Sequence, residues 1–132
     1  MKNKSILIID DNKSNSKLIK ICLSNGGYDV LIADTAETGL KILKQTHPSV
    51  ILMDVKLSGM NGLQLSRFLK DNPETNDIIL LALTTHAWKH EEEKILNAGC
   101  DGFISQPFDT RTLSKVIDDY LQRRHSEKPK VI

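Results

Sequence analysis

The sequence predicts an α/β fold: a doubly wound sheet of five parallel strands with five helices on its faces. Three observations carry this. Short apolar runs end in polar residues at residues 5–9 before Asp10 and Asp11, at 50–53 before Asp54, and at 78–83 before Thr84. Runs of this kind, rich in β-branched residues and without alternation, read as strands buried on both faces. Stretches with helical spacing of apolar residues alternate with them, as βα units require. Asn25-Gly26-Gly27, Asn72-Pro73 and Ala98-Gly99 then punctuate the helices. Right-handed crossovers place helices on both sides of such a sheet.

The elements follow in order. Residues 5–9 form the first strand, and a helix runs to about Asn25 with Leu18, Ile21, Cys22 and Asn25 on one face. Residues 28–33 form the second strand. Asp34 is expected to cap the next helix, with Glu37 as its capping-box partner, and Ala36, Leu40 and Leu43 as its buried stripe. The third strand is 49–53. The loop around Gly59 and Gly62 leads to a helix with Leu65, Phe68 and Leu69 facing inward.

The fourth strand, 78–83, is followed by a helix over 89–97, anchored by Ile95, Leu96 and Ala98. Its Glu91-Glu92-Glu93 run reads as a solvated face. The fifth strand, 102–105, stops at Gln106-Pro107. Asp109 or Thr110 is expected to cap the last helix, whose stripe is Leu113, Val116, Ile117, Tyr120 and Leu121. Residues 1–122 thus make one domain, and 123–132 read as a polar tail or linker. Residues 128–132 are similar to the lead-in to another such domain.

Composition narrows the function. A chain of 132 residues suits one core. Eighteen Lys and Arg against seventeen Asp and Glu leave a net charge of +1. That gives no electrostatic case for direct nucleic-acid binding or for a membrane surface. The longest apolar run, 78–83, is far short of the roughly 20 residues that span a bilayer, and Asp10 cuts off any leader-like segment. The expected location is the cytoplasm. Cys22 and Cys100 lack metal-ligand spacing with the histidines and read as packing residues.

Asp10, Asp11 and Asp54 would stand at the carboxyl ends of the first and third strands, where open α/β sheets gather ligand sites. If those strands are neighbours, the three carboxylates converge. At about 5 Å and an effective dielectric near 20, each pair of them costs roughly 3 kcal/mol. A hard cation removes that cost, and Mg²⁺ is the usual choice where phosphate is handled. A carboxylate beside such a cation can attack phosphorus. The Thr84 hydroxyl could donate to a phosphoryl oxygen.

These residues resemble the receiver domains of two-component response regulators. The matching segments are Ile-Leu-Ile-Ile-Asp10-Asp11-Asn12, Val-Ile-Leu-Met-Asp54-Val-Lys56-Leu-Ser-Gly-Met-Asn-Gly62, Leu-Ala-Leu-Thr84-Thr85-His-Ala87 and Gly-Cys-Asp-Gly-Phe103-Ile-Ser-Gln106-Pro107-Phe. Together they cover residues 4 to about 122. The resemblance implies a flavodoxin-like (βα)5 sheet of strand order 2-1-3-4-5. It implies that Asp54 accepts a phosphoryl group from a histidine kinase or histidine phosphotransfer protein. Asp11, Asp54 and the carbonyl of Lys56 would hold Mg²⁺, with Asp10 acting through water. Thr84 would move to the phosphoryl oxygen, and Phe103 would be the aromatic switch for a face that meets a downstream protein partner. Such a domain catalyses at most its own phosphorylation and dephosphorylation and is not otherwise an enzyme. The stretch from His86 to Phe103 is most similar to stand-alone cell-polarity receivers and receivers of hybrid kinases. A cis Gln106–Pro107 bond is also implied.

The sequence departs from the family pattern at three places. Gln106 stands where the family has lysine, so a donor is kept and a charge is lost. Thr85 replaces a small residue beside the phosphoryl path. Ser58 replaces a proline. A pseudo-receiver that binds partners without phosphorylation is therefore the alternative. Adjacent aspartates, rather than Asp-x-Asp, argue against a haloacid-dehalogenase-type phosphatase. Trp88 reads equally as a partner contact or as packing, and His86 as a solvated loop residue at the pocket rim.

Overall fold

The computed structural model describes residues 4–57, 60–85 and 89–127. The expectations for Ser58, His86, Trp88 and residues 128–132 lie outside them. Its elements are β1 (Ser5–Ile9), α1 (Lys13–Asn25), β2 (Asp29–Ala33), α2 (Ala36–Leu43), β3 (Val50–Asp54), α3 (Gly62–Asp71), β4 (Ile79–Thr84), α4 (Lys89–Asn97), β5 (Gly102–Ser105) and α5 (Leu113–Glu127). The strands form one parallel sheet in the order β2-β1-β3-β4-β5. This is the doubly wound architecture expected.

Alternation along the strands divides the core. Leu7, Ile9, Ile51, Met53, Leu80 and Ala82 face α2, α3 and α4, where Ala36, Leu65, Leu69 and Ile95 meet them. Ile6, Ile8, Val50, Leu52, Ile79, Leu81 and Leu83 face the other way, onto Ile19 and Leu23 of α1 and Leu113 and Ile117 of α5. Both faces of β1, β3 and β4 are therefore dry. That is why these strands read as continuous apolar runs. No helix among the described residues is long and apolar enough to cross a membrane.

Several helices sit on their faces differently from the expectation. The buried residues of α1 are Ser16, Ile19 and Leu23, while Leu18 and Ile21 are exposed and Cys22 is half-buried. Aliphatic residues occur all round this helix, so spacing alone did not select the face. The inward Ser16 satisfies its hydroxyl on the carbonyl of Asn12, 3.1 Å away. In α2 the cap is Thr35, not Asp34: its Oγ1 accepts from Thr38 N at 3.0 Å. Leu40 and Leu43 are only partly buried there, and Gly39 is buried beside Ile9.

Phe68 of α3 is half exposed, and Ser66 takes the inward place by donating to the carbonyl of Ala98 at 2.8 Å. Leu96 of α4 is likewise exposed, whereas Ile95 and Ala98 are buried. Asp109 does not cap α5 directly; its Oδ1 accepts from Arg111 N in the turn before the helix, at 2.9 Å. The α5 stripe is as expected, but the helix continues through Arg123 to Glu127, into the stretch expected to be tail. Both cysteines are free, Cys100 buried and Cys22 half-buried.

Strand order fixes where a site can form. From β1 the chain crosses to β2 on one side, and β3 returns on the other side of β1. The crevice at the carboxyl ends of β1 and β3 lies at this switch point. Gly62, the first residue of α3, packs against the main chain at the end of β3: its N–H donates to the carbonyl of Val55 at 3.0 Å. A Cβ on Gly62 would meet Asp54 O and lie 2.8 Å from Val55 Cα. Such overpacking against main chain typically costs about 1–3 kcal/mol. Gly62→Ala is expected to lower unfolding stability by about 2 kcal/mol in urea titration, with the native m-value retained.

Candidate functional site

Asp10 directly follows β1, and its N–H donates to Ala33 O at 3.0 Å, continuing the β1–β2 ladder. Its carboxylate is only 1% exposed. Oδ1 accepts from Asn12 N at 2.9 Å, and Oδ2 accepts from Asn15 Nδ2 at 2.6 Å. Asn12 is also the N-cap of α1, its Oδ1 accepting from Asn15 N at 3.0 Å. Asp11 is exposed at the mouth of the crevice.

Asp54 ends β3 and is partly buried. Its Oδ1 accepts from the main-chain N–H of Lys56 at 2.9 Å, and the Lys56 side chain itself is exposed. One carboxylate oxygen from each of Asp10, Asp11 and Asp54 lies within 4.8 Å of the others. Burial raises the Asp54 pKa above its ordinary value of 3.8. The Lys56 N–H pulls the other way, and the neighbouring Asp10 and Asp11 carboxylates push it up further.

Thr84 ends β4, is buried, and pairs with Ser105. Its carbonyl accepts from Gln106 N at 2.8 Å. The ends of β4 and β5 are thereby tied together, with Gln106 half-buried and Thr85 exposed. The Gln106–Pro107 bond is cis, as expected. Phe103 lies on β5 opposite Ala82, partly buried against the α2–α4 face of the core. The crevice thus joins Asp10, Asp11 and Asp54, with Thr84 and Gln106 on the strand ends beside them.

Asn15 was missed from sequence. Its signal is local: Asn12 caps α1, and Asn15, three residues on, falls in the first turn where a side chain can reach back. The donor set is all carboxylate oxygen, which suits a hard cation. Oxygens around a six-coordinate Mg²⁺ at about 2.1 Å lie about 3–4 Å apart, so a cation would draw these carboxylates in only slightly. They fit.

The fold and this crevice define a (βα)5 domain with an acidic site at its switch point. Residues 6–118 match the family model for the response regulator receiver domain. The polar-differentiation response regulator DivK of Brucella ovis is 34% identical over 118 residues, spanning 89% of this chain and 96% of that protein. A CheY-like receiver domain protein of Methanospirillum hungatei superposes with a TM-score of 0.85 at 30% identity, covering 96% of this chain and 99% of its own. The receiver domain of the sensor histidine kinase PA1611 of Pseudomonas aeruginosa, solved with a magnesium ion in its active-site cleft, shares the fold at a TM-score of 0.83 and 23% identity, covering 92% of this chain and 99% of its own. The chain belongs to the response regulator receiver domains, the phosphoryl-accepting signalling modules of two-component systems. DivK is a stand-alone polarity receiver, in keeping with the resemblance read from the His86–Phe103 stretch.

The raised Asp54 carboxyl has a stability consequence of definite sign. The folded chain holds that proton more tightly than the unfolded chain, so stability falls as pH rises from about 4 through the folded pKa. In EDTA at pH 7, Asp54→Asn is expected to raise stability by up to about 1 kcal/mol once solvent screening of this partly exposed group is allowed for, about 2–5 °C in Tm. The gain should shrink toward zero near pH 4. Scanning calorimetry at both pH values checks this.

Proposed function

We propose that this chain accepts a phosphoryl group on Asp54 from a phosphohistidine on a histidine kinase or histidine phosphotransfer protein, and passes the change to a downstream protein partner. The supporting observation is the convergence of Asp10, Asp11 and Asp54 at the switch point. An Asp54 carboxylate oxygen attacks phosphorus in line. The P–N bond breaks, and its electron pair returns to the imidazole of the donor. Mg²⁺, when bound, neutralises charge on the carboxylates and the transferring group. In this reading Asp11, Asp54 and the Lys56 carbonyl hold it, and Asp10 acts through water.

The Thr84 hydroxyl donates to a phosphoryl oxygen, and Thr85 borders its path. Phe103, partly buried on the adjacent strand, turns inward as Thr84 moves, which re-forms the surface of α4, β5 and α5 that the partner reads. In this reading the chain works in the cytoplasm, beside its phosphohistidine donor. Beyond its own phosphorylation and dephosphorylation it catalyses nothing.

Gln106 sets the efficiency of this reaction. An amide there supplies a neutral donor to the anionic phosphoryl oxygens, whereas a lysine would add a full opposite charge to the same hydrogen bond. The phosphorylated site is one positive charge poorer than in the family pattern, and Lys56, two residues beyond Asp54 and charged near neutral pH, offsets part of it. Incubation with acetyl phosphate and Mg²⁺, followed by intact mass, should show one added phosphoryl group on the native chain and none on Asp54→Asn. Gln106→Lys should raise phosphorylation rate or phosphoryl lifetime about fivefold. Lys56→Ala should lower them in the native background only. Absence of phosphate from the native chain and from Gln106→Lys alike would favour the pseudo-receiver reading.

A further inference from the structure

Asp10 is the most buried carboxylate of the crevice, at 1% exposure. A buried charge persists only where hydrogen bonds compensate it. The Asn12 N–H on Oδ1 belongs to the main chain, and no side-chain change removes it. The Asn15 amide on Oδ2, at 2.6 Å, comes from a side chain. That side chain stands on a fixed base. Asn15 N donates to Asn12 Oδ1 at 3.0 Å, and Ser16 N donates to Asn12 O at 3.0 Å. Neither bond uses the Asn15 side chain, so α1 keeps its cap when that side chain is changed.

Two donors on opposite oxygens stop the Asp10 carboxylate from rotating without breaking one of them. We infer that Asn15 is a positioning residue: its side-chain amide locks the Asp10 carboxylate so that its oxygens stay within reach of those of Asp11 and Asp54. The inference rests on the reading of the crevice as a Mg²⁺ site. Asn15 does not touch the ion; it acts through Asp10, whether Asp10 binds directly or through water. Groups that orient a metal ligand in this way typically contribute about 10–100-fold in affinity. The lock also bears on ion choice. Mg²⁺ demands near-ideal octahedral geometry at about 2.0–2.1 Å, whereas Ca²⁺ accepts irregular shells at about 2.3–2.6 Å. A carboxylate free to swing handicaps Mg²⁺ more than Ca²⁺.

The test is titration calorimetry of the full chain with Mg²⁺ alone and with Ca²⁺ alone. Asn15→Leu and Asn15→Ala remove the amide, the second with a strong helix former. Ile19→Val serves as the control, because it loosens the buried face of α1 without touching a carboxylate. Both Asn15 variants should bind Mg²⁺ about tenfold more weakly, with Ca²⁺ binding within about twofold of native. Ile19→Val should lower Tm and leave both affinities within about twofold. Native-like Mg²⁺ affinity in both Asn15 variants would overturn the inference and leave the metal site standing. Equal losses for the two ions, or an equal loss in Ile19→Val, would also overturn it, since loosening of α1 would then suffice. A native chain that takes up no Mg²⁺ at millimolar concentration would overturn the metal reading itself and this inference with it.

Discussion

Three carboxylates share a crevice in which their oxygens approach within 4.8 Å. Like charges at that spacing repel, and partial burial strengthens the repulsion. The surrounding structure can be understood as what holds them there. Asp10 is fixed by the Asn12 main chain and the Asn15 amide, and Asp54 by the Lys56 N–H. Asp10 and Asp54 stand at the ends of β1 and β3, strands packed on both faces. A helix or strand exposed on one side would have room to relax the charges apart. The doubly wound sheet does not, so the repulsion remains available to be relieved by a cation or a proton.

The far side of the sheet is held by a second set of polar ties. Lys70 of α3 donates to the carbonyl of Ile78 at 2.8 Å and pairs with Asp101 at 2.8 Å. Asp101 also accepts from Leu80 N at 2.8 Å. Ser66 reaches the end of α4, and Thr75 donates to Leu69 O at 2.7 Å. α3 is thereby fastened to the starts of β4 and β5, the ends away from the crevice. Thr84 and Gln106 stand at the opposite ends of those strands, linked by one main-chain bond of 2.8 Å. The strands are anchored at one end and present Thr84 and Gln106 beside the crevice at the other.

Much of this was legible in the sequence, and the exceptions have a common cause. β1, β3 and β4 announced themselves because burial on both faces leaves no polar positions to confuse the pattern. The acids at their ends were legible for the same reason: each interrupts an apolar run. Helix faces were harder. Leu18, Ile21, Phe68 and Leu96 are large and apolar yet exposed, whereas Ser16, Gly39 and Ser66 lie inward. Close helix–sheet packing selects small residues, and a count of hydrophobic side chains assigns those to the surface. Thr35 took the cap expected of Asp34, a shift of one residue that leaves α2 otherwise in place. Asn15 escaped notice because its role depends on the direction of an amide in three dimensions.

The start of α1 carries a further electrostatic meaning. The helix begins at Lys13, immediately after Asp10, Asp11 and its cap Asn12, and its first turn contains no acid. Aligned peptide dipoles give such a terminus about half a positive charge, felt mainly within one turn. The aspartates just before it lie inside that range. Part of the cationic character beside the carboxylates is therefore supplied by backbone, in addition to the Lys13 side chain that opens the helix. A net charge of +1 for the whole chain, or any tally of lysines and arginines, leaves this pole uncounted.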